Sequence, residues 1–269
     1  MSRLVWNDPS TRFYEIGVSD AAVYLPDGRV APWNGLISVK ENPAGGELSS
    51  YYLDGDVYYN HVSPEDYRAT VEAFTYPPEL DSAMGIETGP TGIQYPGQER
   101  HTFGLVYKTQ VGSPLGSSDH KLHIVYEATL AVSNRDYSTI GDSPEPTVFG
   151  WEMASLPVAV SGRRAVSSIV LDSRRVNSMA LAVLEGYLLG ANGLVPRLPQ
   201  VSAIETFLAA WPTAISFAGR ANFLGYFETP PTNPFLGDFY IFEGYVRIYR
   251  VGSFGAGWFD YLGETVPTL

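Results

Sequence analysis

A mainly β protein, a β-sandwich or barrel with flanking α-helices, is what this sequence predicts, and three observations predict it. Short apolar runs of strand length recur along the chain, punctuated by Gly, Pro, Asn and Asp. Hydrophobic residues make up 45% of the chain and aromatics 13%, against 17% charged, a composition that buries a core rather than staying unfolded. Helical spacing is confined to a few stretches, and 269 residues fit one principal core with an appendage.

The elements follow in order. Phe13 to Val18 and Ala21 to Leu25 are apolar runs around Ser19-Asp20, which reads as a tight hairpin, and Pro26-Asp27-Gly28 is turn chemistry. Trp33 to Val39 reads as a strand, followed by a loop at Asn42-Pro43-Ala44-Gly45-Gly46. Tyr51 to Leu53 and Val57 to Tyr59 flank Asp54-Gly55, the strongest short hairpin signal in the chain. Ser63-Pro64-Glu65-Asp66 then reads as a helix start, with Ser63 as cap and Pro64 in the first turn. Tyr67, Val71 and Phe74 lie at helical spacing along a helix ending near Ala73.

Residues 77–101 are Pro- and Gly-rich and read as a long connection. Thr102 to Val111 and Lys121 to Ala131 alternate as strands, joined by an extended tip from Gly112 through Leu115 and Gly116 to Asp119. Thr147 to Ala154, with Phe149 and Trp151 on one face, and Val166 to Leu171 are further strands. A helix capped at Asn177 or Ser178 stops at Gly190, and Ser202-Ala203-Ile204-Glu205 matches a capping box whose helix ends at Pro212. Beyond residue 212 the composition turns to Gly and aromatics, so the domains read as a core over 1–212 and a β extension over 213–269. Within that extension, Phe239 to Val251 reads as two strands around Glu243-Gly244, Trp258 to Leu262 as a third, and Gly252 to Gly257 as a hairpin connection.

Charge and chemistry narrow the function. The formal net charge is -12, with 20 acidic and 9 basic residues in 1–150 against 9 and 8 in 151–269. Such a field opposes phosphate-neutralising contacts to nucleic acid. With no cysteine, there is no disulfide framework, thiol nucleophile or thiolate metal site. No apolar run reaches membrane-spanning length and no leader pattern opens the chain, so the expectation is a soluble protein made in a cytoplasm, with no membrane partner. His120 and His123 with Asp119 are the one metal-like cluster, but i and i+3 on a strand point to opposite faces, so a shared ion is not expected. Acidic pairs such as Asp54 with Asp56, or Glu145 with Glu152, are chance occurrences in a chain with 29 acids. Neither a nucleophile elbow nor a phosphate-cradling glycine motif is present, so no catalytic residue, cofactor or metal is expected. The aromatics read as core packing rather than a glycan surface.

Several ordered patterns carry a resemblance. They are Tyr24-Leu25-Pro26-Asp27-Gly28 with Pro32-Trp33-Asn34-Gly35-Leu36, then Tyr51-Tyr52-Leu53-Asp54-Gly55 with Val62-Ser63-Pro64-Glu65-Asp66. Phe103 to Thr109 leading to Asp119 to Tyr126 follows, then Tyr137 to Glu145, which contains Asp142-Ser143-Pro144, with Phe149-Gly150-Trp151-Glu152. In this order the sequence resembles the major tail proteins, or tail tube proteins, of long non-contractile-tailed phages, particularly those infecting actinobacteria, over roughly residues 12–211.

The resemblance implies a non-enzymatic virion protein that forms hexameric rings with a continuous inner β-barrel, stacked into a tube. Its implied partners are further copies of itself, a tape-measure protein, and tail terminator and distal tail proteins at the ends. The genomic DNA would pass through the lumen without specific binding, past carboxylates that repel phosphate. Asn42, Pro43, Gly45, Gly46, Gly112, Leu115, Gly116 and Asp119 are the candidate contacts to neighbouring subunits or rings. The alternatives are a carbohydrate-binding β-sandwich module, another ring-forming tail protein, or a metal-dependent hydrolase using His120 and His123.

Overall fold

The computed structural model describes residues 6–9, 12–114, 119–131, 135, 137, 139, 146–211, 222–234, 238–242, 245–252 and 255–265. Along the chain run β1 (Tyr14–Tyr24), β2 (Val30–Pro32), β3 (Leu36–Glu41), β4 (Ala44–Gly45), β5 (Leu48–Leu53), β6 (Asp56–Val62), β7 (Glu65–Asp66) and β8 (Arg68–Ala73). A 3-10 helix (Pro78–Ser82) leads to β9 (Ile86–Thr88) and β10 (Gln94–Pro96). The long strands β11 (Phe103–Gly112) and β12 (Asp119–Leu130) come next, then β13 (Phe149–Ser155) and β14 (Ser168–Asp172). Two helices, α1 (Ser178–Leu189) and α2 (Val201–Ala210), precede β15 (Asn222–Tyr226), β16 (Asp238–Phe242), β17 (Tyr245–Gly252) and β18 (Gly255–Thr265). The fold is thus mainly β, as the sequence predicts, with two α-helices among the described residues.

The main sheet has eight strands in the order β2-β1-β11-β12-β13-β8-β3, with β14 also paired to β12. The chain divides into two compact units, one of residues 17–108 and 123–169, the other of 1–16, 109–122 and 170–269. In the first, alternation along β8 and β13 places Ala69, Val71, Ala73, Trp151 and Met153 in one apolar core with Trp33, Leu80, Phe103 and Leu105. Trp33, Tyr76 and Phe149 surround Trp151 at centroid distances of 5.7, 5.6 and 5.9 Å.

In the second unit, α1 is apolar nearly all round, burying Met179, Leu181, Val183, Leu184, Tyr187 and Leu188, as a helix packed on several sides must. Its N-terminus is capped by Asn177, whose side-chain oxygen accepts from the N–H of Met179 and Ala180 at 3.0 and 3.2 Å. The four-stranded sheet β15-β16-β17-β18 packs its first strand against α1 and includes the two strands expected around Glu243-Gly244.

Four sequence expectations are corrected. Residues 63–73 are not a helix: Glu65 and Asp66 pair with Gly45 and Ala44, and Arg68–Ala73 runs between β13 and β3. Ala69, Val71 and Ala73 are buried while Thr70 and Glu72 are not, a period of two; the helix-start residues are outcompeted by two flanking strands that satisfy the same backbone groups. Ser19-Asp20 is no hairpin. Left-handed backbone at Gly17 (φ 64°) and Asp20 (φ 48°) is absorbed within the single strand β1, and Asp20 pairs with Lys108 at 3.4 Å. Ser202 does not cap α2, which starts one residue earlier after Gln200 and has no side-chain cap. The stretch 77–101 is not irregular throughout, because Leu80, Met84 and Ile86 anchor its 3-10 helix and β9–β10 hairpin to the core.

Candidate assembly surface

β5 and β6 form a two-stranded arm whose turn is Asp54-Gly55, as the sequence predicts, with φ of 53° and 92°. Both values are positive, the geometry in which an Asp-Gly pair joins strands without splaying them. The register pairs Leu48 with Val62, Ser50 with Asn60 and Tyr51 with Tyr59, and the Ser50 hydroxyl donates to Asn60 Oδ1 at 2.7 Å. No other described strand pairs with either strand of the arm.

Leu48, Tyr51, Tyr52, Leu53, Val57, Tyr58, Tyr59 and Val62 are each more than half exposed. Because cross-strand partners share a face, Tyr51 and Tyr59 stack on one side at 6.3 Å, while Leu48 and Val62 lie on the other. An isolated two-stranded ribbon is marginal in water. One with apolar side chains on both faces is a surface built to be covered.

The base of the arm is stitched by the residues that read as a helix start. The Glu47 N–H donates to Ser63 Oγ at 3.0 Å, the Ser63 N–H donates to the Glu47 carbonyl at 3.1 Å, and β4 pairs with β7. Gly45 has φ +86°, and a Cβ there would lie 2.3 Å from the Pro64 carbonyl oxygen, so this crossing admits only glycine. The stretch 42–46, expected as a loop, is instead the base of the arm and includes β4: Asn42 is bound to β8 through its N–H on the Arg68 carbonyl at 2.7 Å, Pro43 follows it, and Gly46 donates to the Pro64 carbonyl.

The other expected surface is described only in part. Gly112 ends β11 against the Tyr14 ring, Asp119 opens β12, and Leu115 and Gly116 lie outside the described residues, as do Asp142, Ser143, Pro144 and Glu145. Trp151 is core.

The two histidines of β12 are held by different partners. His120 Nε2 lies 2.5 Å from Glu185 Oε1 on α1, whereas His123 stacks on Tyr107 at 4.5 Å. Glu41 Oε1 accepts from the hydroxyls of Tyr107 at 2.8 Å and Tyr67 at 3.2 Å. Burial first, and then this carboxylate and the neighbouring tyrosine, push the Tyr107 phenol far above its ordinary value, and burial with Glu41 does the same to Tyr67. Both phenols are therefore fixed donors. Sequence reasoning missed this node, since 66 positions separate Glu41 from Tyr107.

A cavity of about 560 Å³ lies among Glu79, Asp81, Glu87, Glu99, Arg29 and His101. Asp81 Oδ2 accepts from Thr88 and Gln94 at 3.1 and 3.2 Å. Among the described residues no group of three or more His, Asp or Glu side chains converges as metal ligands. No described helix is long and apolar enough to cross a membrane.

No family model matches the chain, and no curated protein does. Among solved structures it is similar to a chain of the anti-feeding prophage baseplate, with 10% identity over 64% of this chain and 97% of that one and a TM-score of 0.33. It is similar to a chain of the PVC sheath–tube complex, an extracellular contractile injection system, with 15% identity over 59% and 93% and a TM-score of 0.30. Hcp1 from Flavobacterium johnsoniae gives 12% identity over 57% and 99% and a TM-score of 0.27. None of these bears on the non-contractile, actinobacterial type, and at such scores the functional reading rests on the chain's own residues.

Proposed function

We propose that this chain is a structural subunit of a phage tail or a tail-like particle, and more finely a tail tube protein that polymerises as hexameric rings stacked around a channel for DNA. The observation that carries the reading is the arm: eight apolar side chains exposed on both faces of a ribbon that no other described strand flanks. The ordered sequence motifs over 12–211 support the finer reading, as does a large antiparallel sheet with flanking helices. In this reading the chain is not an enzyme. It acts in the virion beside a tape-measure protein, with tail terminator and distal tail proteins at the ends, and the sheet over 222–265 belongs to a C-terminal extension of the core.

The test is light scattering and negative-stain electron microscopy of the intact protein over a wide concentration range, beside a Tyr51→Ser/Tyr59→Ser variant. Rings or hollow tubes from the first, and a folded monomer from the second, are the expected result. A second reading, a carbohydrate-binding module, is favoured by the exposed Tyr51–Tyr59 stack, since sugar rings lie on such faces. A persistent monomer that binds oligosaccharides, and loses them with the same substitutions, would replace the first reading with the second.

A further inference from the structure

We propose that the cavity walled by the 3-10 helix and the β9–β10 hairpin binds a small alkyl diammonium ion, with one ammonium at Asp81 and the other among Glu79, Glu87 and Glu99. The site lies within the unit of residues 17–108 and 123–169, and it stands apart from the assembly reading.

Asp81 is the decisive residue. It is only 9% exposed, belongs to the 3-10 helix and lines the cavity. Oδ2 accepts from two neutral donors, the Thr88 hydroxyl at 3.1 Å and the Gln94 amide at 3.2 Å, whereas Oδ1 is buried without a hydrogen-bond partner. Buried carboxylates are ordinarily paired with a cation, and an oxygen left over in a folded chain calls for a reason. No described lysine or arginine bridges Asp81, Glu79, Glu87 or Glu99. Arg29, in the cavity wall, holds Asp27 at 2.7 Å, and Arg100, beside Glu99 in sequence, donates to the Leu130 carbonyl at 2.5 Å. Four carboxylates thus share the wall with one engaged arginine and His101.

Size and lining choose the cation. A volume of about 560 Å³ falls in the range of ligand pockets and far exceeds a single water-sized ion. A dehydrated metal ion would need several side chains to converge on it, and among the described residues no group of three or more does. Two ammonium ends joined by methylenes suit both facts, since Pro78 and Ile86 make part of the wall apolar.

The frame is braced. The Gln98 N–H donates to the Gly85 carbonyl at 2.9 Å and the His101 N–H to the Ser82 carbonyl at 3.2 Å, tying the return of the hairpin to the 3-10 helix. Gly85 has φ +70°, and a Cβ there would lie 2.6 Å from the Gln98 carbonyl oxygen, so the close approach requires glycine. Gln94 is exposed and is free to turn aside. An entering ammonium then replaces a neutral donor on Asp81 with a charged one, which makes the stronger hydrogen bond.

The test is isothermal titration calorimetry of the intact protein with 1,4-diaminobutane, beside magnesium chloride and Nα-acetyl-lysine amide at matched ionic strength. Saturable binding of the diamine, about tenfold or more tighter than either comparison, is the expected result. Asp81→Asn, which keeps the size of the side chain, is expected to weaken it about tenfold or more, and Glu87→Gln/Glu99→Gln, at two exposed positions, about threefold or more. Circular dichroism checks folding, and the second variant keeps the site testable if the first does not fold. Asp54→Asn/Asp56→Asn, which removes two charges from the arm, is expected to leave the affinity unchanged. No binding of the diamine, equally tight binding of magnesium, or an equal loss from the arm variant would overturn the site, the last two by reducing it to the net charge of the chain. Equally tight binding of the lysine derivative would overturn the diammonium ligand in favour of a lysine side chain from another protein.

Discussion

Trp151 is buried among Trp33, Tyr76 and Phe149, three rings contributed by separate stretches of the chain, and it has no room to be smaller. Truncating it leaves an aromatic-sized void that the surrounding rings cannot close, so Trp151→Ala is expected to cost about 3–5 kcal/mol, read as a lowered urea midpoint. Alternation alone placed Trp151 with Phe149 on one face, because the period of two is local. Asp172 is a residue whose role the sequence leaves hidden. Hydrogen bonds from Arg174, foremost those of its guanidinium, hold its carboxyl at about 2 instead of the usual 3.8. Because the folded value is the lower, the unfolded chain takes up the proton first as pH falls. The pair's stabilisation is therefore complete above about pH 4, declines toward pH 2 and is gone below it. Asp172→Asn should flatten the slope of stability against pH in that window, measured by denaturation at several acid pH values; an unchanged slope would remove this pair from the acid response.

At the scale of elements, signals that act over a few residues were legible and those that depend on neighbours were not. The Asp54-Gly55 hairpin and the Asn177 cap are fixed by backbone geometry within four residues, and both stand where the sequence puts them. The segment 63–73 carries a helix-start signature as good as that of α1, yet it forms strands, because β13 and β3 offer ladders on both sides that no local pattern announces. The arm was legible as a hairpin but not as a surface: the pattern of Tyr and Leu reads as core, and only the absence of a described flanking strand exposes it. The contrast has a measurable side. Asn177→Ala removes the acceptor for two N–H groups at the start of α1 and should cost about 1 kcal/mol, seen as a fall in melting temperature. Gln200→Ala, at a helix start with no side-chain cap, should leave the melting temperature within error of wild type.

Over the whole molecule the dominant physical quantity is charge. A net charge of -12 sets a repulsive field for any polyanion, and the candidate channel reading depends on that field: DNA must pass without sticking. Against it stand few basic side chains: adjacent arginines occur in the sequence at 163–164 and 174–175, and Asp172 holds Arg174. Two neutralised phosphates would give an affinity that falls with only about the second power of salt, far short of the six to ten contacts of proteins that grip a duplex. The intact protein, assembled or not, is therefore expected to show no binding of duplex DNA by fluorescence anisotropy even at about 50 mM salt, where such contacts are strongest. Micromolar binding with a steep salt dependence would mean that basic side chains gather in the assembly at a place their sequence does not suggest, and the tube reading would then need a lumen of the opposite sign. Replacing Asp54 and Asp56 by Lys separates the two ways acidity could matter. If these carboxylates serve only the contact between copies, the change disrupts assembly and leaves DNA unbound; if they also face the channel, whatever assembles should begin to retain DNA.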